Sequence, residues 1–259
     1  MTDAEREAVH CLWDQVADFP VSRTDEALVF LMEGVCKLID AGDAFWFGSL
    51  RLIPTSEEEE LRGWRPRAIR YLRPTPLHEE IYREQTARMT RGEMNSSYRL
   101  AVRNVGTFRS YRIRQELPAE WFKGTFYKTF LASRGFHDSC YVAFPLHDDC
   151  ESYFAFHRVG SKKNFTSEEE AIAGYALRGI KWFHRQVLLS HGALLAEGPL
   201  SPIQRQIVGL LLTGHSEKEV AGHLSQSSHT VHKHVTEIFR KFGVNSRAAL
   251  MALWLGQKR

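Results

Sequence analysis

The chain has 259 residues, 43% apolar and 25% charged, with a formal net charge of +3. That balance belongs to a folded globular protein and excludes disorder, collagen-like repeats and a disulfide scaffold. No apolar run approaches the ~18 to 20 residues of a membrane helix, so no membrane association is expected. Cys11, Cys36, Cys140 and Cys150 lie far apart with no C-x-x-C pair, and the start from Met1 to Glu7 is acidic and polar. Together these predict a cytoplasmic protein with reduced thiols and neither a signal nor a transit peptide.

In chain order, helical periodicity runs over Ala4 to Phe19 and Thr24 to Asp40. In the second segment Leu28, Leu31, Val35 and Leu38 share one face, and Gly42 ends it. Ala44 to Ile53 is rich in strand formers. A polar, Pro-punctuated stretch follows, then a helical segment around Leu77 to Met89. Val105 to Arg114 reads as a strand and Pro118 to Ser133 as a helix. Ser139 to Leu146 and Ser152 to Val159 form a predicted hairpin around His147-Asp148-Asp149-Cys150-Glu151. Ser167-Glu168-Glu169-Glu170 then caps one long helix toward Leu195, with Ile172, Tyr175, Ala176, Ile180, Phe183 and Val187 on a stripe.

The small total charge hides a partition. Residues 1–61 carry a net −10, residues 62–114 a net +9 from 13 Arg and 4 Glu, residues 115–198 a net −1, and residues 199–259 a net +5 with five His besides. Glu197-Gly198-Pro199-Leu200-Ser201-Pro202 marks a boundary by its Gly and Pro breakers. The expected organisation is α+β: a sensor-like sheet-and-helix domain over 1–166, a connector helix and linker over 167–198, and an all-α domain over 199–259. A basic last segment points to a polyanion.

The last segment is dense in helix signals. Ser201-Pro202-Ile203-Gln204 combines a Ser cap, Pro at the first helical position and Gln three residues after the cap; Ile207, Val208, Leu210, Leu211 and Leu212 follow, and Gly214 ends the helix. Ser216-Glu217-Lys218-Glu219 is a capping box opening a short second helix through Val220, Ala221 and Leu224. Ser227 and Ser228 cap a third helix, in which Val231, Val235, Ile238 and Phe242 recur at spacings of four, three and four. Gly243 closes it, and Asn245-Ser246 caps a fourth helix with Leu250, Leu253 and Trp254. The middle pair forms a helix-turn-helix, a DNA-binding arrangement.

Leu200-Ser201-Pro202, the run from Gly214 to Ala221 and the run from Thr230 to Val244 resemble the LuxR/GerE/NarL-type helix-turn-helix over about 200–255. Ile203-Gln204 stands where that family usually has Arg-Glu, removing an intradomain ion pair, and Gln226 where it usually has a small aliphatic. By resemblance the base-reading positions match His232, Lys233 and Thr236. Lys233 can donate to guanine O6 or N7, and Thr236 can donate or pack on a thymine methyl. Thr230 and the amides at the helix start can reach phosphate, with Ser228, His229 and Arg240 beside them; Lys218, Lys241 and Arg247 suit phosphate neutralisation. The expected partner is double-stranded DNA. His232 and His234 lie about 200° apart around a helix and are not read as a metal pair.

In the first two hundred residues, Tyr141 to Leu146, the next strand and Phe165 to Glu169 resemble the last third of a GAF domain, with a PAS-like sheet as the close alternative. Ser152 stands near a Gly common in GAF domains. Neither the Trp, Tyr and Asp-Pro set of autoinducer-binding domains nor a phosphoacceptor receiver can be laid onto this segment. Its many aromatics suit a packed core or, alternatively, a pocket for a small planar effector, for which Trp46, Trp64, Tyr71 and Tyr141 are the candidate residues. The Arg run from Arg62 to Arg114 reads as a solvated face pairing with Glu57 to Glu60; it also suits an anionic effector, RNA polymerase, DNA or a second subunit. A homodimer is expected, because a connector running straight into the DNA-binding domain would set half-site spacing. No cofactor and no metal are expected. Cys140, Cys150, His137, His147, His157 and Asp148 show no nucleophile or metal spacing, so the chain reads as a regulator rather than an enzyme, with a ligand-free regulator acting by protein contact as the alternative.

Overall fold

A computed structural model describes residues 1–51, 60–91, 93, 95–160, 163–192 and 200–254. The ends expected for the first strand (Ile53) and the connector helix (Leu195), the acidic residues Glu57 to Glu59 and the Glu197-Gly198-Pro199 breaker fall outside the described residues. Helices α1 (Asp3–Ala17) and α2 (Thr24–Leu38) come first, with a 3-10 turn at Val21–Arg23 between them. Strands β1 (Asp43–Arg51) and β2 (Trp64–Tyr71) follow, then α3 (Pro76–Thr90), α4 (Ser96–Val102), β3 (Arg109–Arg112), α5 (Ile113–Glu116) and α6 (Thr125–Phe130). The hairpin of β4 (Phe136–His147) and β5 (Cys150–Val159) precedes α7 (Ser167–Arg178) and α8 (Lys181–Ser190). Four helices follow among the described residues: α9 (Pro202–Leu212), α10 (Glu217–His223), α11 (Ser228–Phe242) and α12 (Arg247–Trp254).

Two compact units arise. The first comprises Met1–Leu12 and Leu31–Ile180, the second Trp13–Phe30 and Lys181–Arg259. The first unit is built on a five-stranded antiparallel sheet of order β2-β1-β5-β4-β3. The hairpin lies where expected, turning at Asp148-Asp149. Strand β2 occupies the stretch that sequence patterning left polar and irregular. It is an edge strand, where Pro66 forfeits no ladder hydrogen bond and Arg side chains discourage further pairing. A register shift at Gly48/Ser49 pairs Gly48 with Ala68 and Ser49 with Pro66, so β2 bulges at Arg67.

Three expectations need correction. The strand expected over Val105 to Arg114 is only Arg109–Arg112, followed directly by α5. Pro118 to Ser133 is not one helix: a 3-10 turn at Ala119–Lys123, α6, and a 3-10 turn at Ala132–Arg134 divide it, with extended Gly124 (ψ 159°) separating the first two. The long connector helix is broken as well. α7 ends at Gly179 and α8 begins at Lys181, where the two units part. Of the expected stripe, Ile172, Ala176, Ile180, Phe183 and Val187 are buried and Tyr175 is half-buried, so the periodicity runs on across the break. The α7 cap is Thr166, whose side chain accepts from Glu169 N, while Glu169 reaches back to Thr166 N.

Side-chain alternation gives the sheet two different faces. Trp46 faces the side of Phe154 and Phe156, donating from Nε1 to the buried Ser152 Oγ at 2.8 Å. Phe45, Phe47, Tyr153 and His157 face the opposite side, toward a cluster of Ile81, Leu100, Tyr111, Ile113, Tyr127 and Phe130. Buried charge is paired. Arg109 contacts Glu151 at 2.8 Å with Glu151 fully buried, and Arg158 bonds both carboxylate oxygens of Glu169 at 2.8 and 2.9 Å.

In the second unit α9 to α12 enclose a core of Ile207, Leu211, Val220, Val231, Val235, Ile238 and Leu250. Each predicted cap forms: Ser201 Oγ accepts from Gln204 N, Ser216 Oγ from Glu219 N, Ser227 Oγ from Thr230 N, and Ser246 Oγ from Ala249 N. Gly243 ends α11 at φ 60°, the left-handed position that favours glycine. Gly209 lets α9 approach Ser22 so closely that a Cβ would lie 2.8 Å from Ser22 Cα.

Candidate nucleic-acid interface and ligand cavity

α11 owes its position to its amphipathicity. Val231, Val235, Ile238 and Phe242 are buried in the domain core, which leaves the other side of the helix outward. His229, His232, Lys233, Thr236 and Arg240 are all exposed there, and Thr230 and His234 are half-buried. The helix start is held by Ser227, which takes the Thr230 amide at 3.0 Å; the amides of Ser228 and His229 lie in the first turn, before any intrahelical partner is in reach.

The expected DNA-facing residues differ in how they are engaged. His232 Nδ1 lies 3.0 Å from Glu217 Oε2 on α10, and Thr236 Oγ1 donates to the His232 carbonyl at 3.0 Å. Lys233 and Lys218 are exposed. Lys241 Nζ donates to Gln204 Oε1 at 2.9 Å, and the Arg247 guanidinium donates to the carbonyls of His215, at 2.9 Å, and Leu211. Lys241 and Arg247 thus tie helices of their own domain together.

A cavity of about 150 Å³ lies on one face of the sheet in the first unit, beneath α3, α4 and α6. Trp64, Tyr71 and Tyr141 are among the residues that line it. Trp46 does not, because strand alternation turns it to the other face of the sheet. The walls also include Phe45, Phe47, Tyr98, Trp121, Phe126 and Tyr153, which no local motif marks. Burial pushes the Tyr71 and Tyr141 phenols up to about 12, so both stay neutral.

The polar groups here are few. Trp64 Nε1, Tyr98 Oη and His157 Nε2 are buried without a hydrogen-bond partner among the described residues. His157 Nδ1 sits 2.8 Å from Ser139 Oγ, and the ring stacks between Phe136 and Phe45 with centroids 4.1 and 5.3 Å away. Burial first, then the charges of Arg134 and His78, hold the His157 pKa well below its ordinary 6.5. Half-buried Arg134 also lines the cavity, donating from Nε to the Phe130 carbonyl at 2.8 Å and lying 4.4 Å over the Phe136 ring.

The Arg run is dispersed rather than one face. Arg99 pairs with Glu60, Arg103 with Glu116, Arg88 with Glu84, Arg109 with Glu151, and Arg112 with Glu170. The first of these reaches Glu60, the one described residue of the acidic segment expected to balance the run; Glu57 to Glu59 lie outside the described residues. All four cysteines are free, and burial pushes the Cys36 and Cys150 thiols up to about 12. Among the described residues no helix is long and apolar enough to cross a membrane.

Residues 198–254 match the family model GerE, bacterial regulatory proteins of the luxR family. The C-terminal part of the chain is therefore a LuxR-family helix-turn-helix domain, a DNA-binding domain of transcription regulators. No curated protein matches the sequence significantly. Among solved structures the chain is similar to SdiA in complex with octanoyl-rac-glycerol (14% identity, 98% of this chain and 95% of that one, TM-score 0.47). It is also similar to Escherichia coli SdiA in space group P6522 (13%, 95% and 94%, TM-score 0.47) and to the VqsR LBD domain from Pseudomonas aeruginosa (9%, 73% and 98%, TM-score 0.47). Likeness at that level leaves the N-terminal unit to be understood from its own sheet and cavity.

Proposed function

We propose that the chain is a sequence-specific transcription regulator that reads DNA with α11 and holds a small effector in the sheet cavity of its first unit. The observation that carries the first part is the outward face of α11. His232, Lys233 and Thr236 are exposed on a helix whose other side is locked into the core of a LuxR-family domain. Lys233 supplies a donor, and Thr236 an accepting hydroxyl oxygen and a methyl group, that distinguish base edges in the major groove, while Lys218, Arg240 and the α11 N-terminus supply phosphate contacts.

The effector reading is supported by an apolar cavity whose lining residues Trp64, Tyr98 and His157 each carry a buried polar atom without a partner among the described residues, a costly arrangement in a finished core. Free, buried cysteines with raised thiol pKa values favour a regulator over an enzyme. The GAF- or PAS-like reading of the first unit belongs to this proposal, supported by an antiparallel sheet with helices over the cavity face. So do a cytoplasmic location, contact with RNA polymerase and a homodimer. The break at Gly179 removes the straight connector as a ground for the dimer, which now rests on the paired half-sites that helix-turn-helix proteins read.

Genome-wide mapping of DNA bound by the full chain tests the regulator reading. Enrichment of one recurring sequence motif supports it; uniform, salt-sensitive binding without a motif would remove it.

A further inference from the structure

The cavity contains an imbalance of charge. Arg134 is the cationic group in its wall, and among the described residues no carboxylate comes within ion-pair distance of it. Its Nε is spent on the Phe130 carbonyl, one face of the guanidinium rests on Phe136, and its terminal nitrogens have no hydrogen-bond partner among the described residues. Other buried arginines of this unit are neutralised: Arg109 by Glu151 and Arg158 by Glu169. A half-buried guanidinium with its fork open is the donor set that receives a carboxylate bidentately.

We propose that the cavity takes a small aromatic monocarboxylate whose anionic end is received by Arg134. This deepens the effector reading above and rests on it. The volume of about 150 Å³ matches cavities that hold one benzene-sized ring. The walls at Phe45, Phe47 and Tyr153 are flat, and Phe47 and Tyr153 already stack on each other at 4.5 Å. Charge count selects a monoanion: one arginine neutralises one carboxylate, whereas a phosphate dianion would carry an unpaired charge into an apolar site. Neutral phenols at Tyr71 and Tyr141 do not repel the anion. His157 Nε2 and Trp64 Nε1 are left to bond a ring substituent, which is where selectivity among such acids would arise.

Calorimetric titration of the full chain with phenylacetate, its neutral isostere phenylacetamide, and indole tests this. Phenylacetate is expected to bind about tenfold or more tighter than phenylacetamide. In Arg134→Met that preference disappears while indole still binds, and Arg134→Lys retains part of it. Equal affinity for acid and amide in the wild-type chain overturns the inference but leaves the cavity reading intact, and so does a preference that persists in Arg134→Met. If none of the three probes binds, the effector reading falls and the inference with it. The wild-type comparison decides without any variant, so a misfolded Arg134→Met does not obscure the result.

Discussion

Gln204 Nε2 donates to Glu237 Oε2 at 2.9 Å, joining the start of α9 to the outer half of α11. The same amide accepts from Lys241 Nζ at 2.9 Å and from Ser201 N at 3.1 Å. Gln204 replaces the glutamate usual at this position in the family, and its buried amide restores by hydrogen bonding much of the tie that the lost ion pair would have made. Gln204→Leu removes one hydrogen bond to a carboxylate and one from an ammonium at once. Hydrogen bonds to charged groups are worth about 1.5–3 kcal/mol, so urea denaturation is expected to show a loss of that order.

Arg109 and Glu151 set a second expectation. Glu151 is fully buried and accepts from Arg109 Nη1 and Nη2, from Gly106 N at 2.7 Å and from Tyr153 Oη. Arg109→Met removes the only cation within ion-pair distance of it among the described residues, which costs about 3–5 kcal/mol for a buried pair. The double variant Arg109→Met/Glu151→Gln recovers part of that, and chemical denaturation of the three chains checks it.

How much of this was legible in the sequence depends on whether the signal is local. The caps at Ser201, Ser216 and Ser227 and the stripe Val231, Val235, Ile238 and Phe242 each lie within a few residues, and every one of them formed. β2 was illegible because an edge strand carrying Pro66 and several Arg shows neither alternation nor strand propensity. Trp46 was misplaced by parity, since neighbouring strand residues face opposite sides and the first-strand run Phe45-Trp46-Phe47 is apolar on both. Arg134 carries no local signal: its own contacts, Phe130 and Phe136, are neighbours in sequence, and the cavity it joins is closed by strands and helices far from it along the chain.

Part of the acid sensitivity follows from Glu169 and His157, two buried or half-buried groups with lowered pKa values. Burial raises the Glu169 pKa, but hydrogen bonds from Arg158 and Thr166 outweigh this and bring it below 4.5. Its contribution is present above pH about 4.5 and is lost as pH falls through the folded value. Buried His157 also has a lowered folded pKa, so the unfolded chain takes up the proton first, and stability declines as pH falls below about 6.5. Melting temperatures followed from pH 8 to 3 are expected to fall in both windows, the upper fall shrinking in His157→Gln, where buried His78 keeps part of it, and the lower fall shrinking in Glu169→Gln.

Basic residues of the helix-turn-helix domain should separate by what they hold. Lys218→Ala is expected to weaken binding to all sequences alike and to reduce the salt slope by about 1. Arg247→Ala frees the carbonyls of His215 and Leu211, so its main effect is a lower melting temperature. Mobility shifts at several salt concentrations, paired with thermal melts, distinguish the two.

The most direct test of the account is selection of bound sequences from a random DNA pool by the wild-type chain, Lys233→Ala and Thr236→Ala, each folded to the same melting temperature. The account predicts a defined wild-type motif that loses discrimination at one or two positions in each variant, by about 1–3 kcal/mol per base pair. An identical motif recovered with all three proteins would contradict it, because α11 would then not be the element that reads the bases.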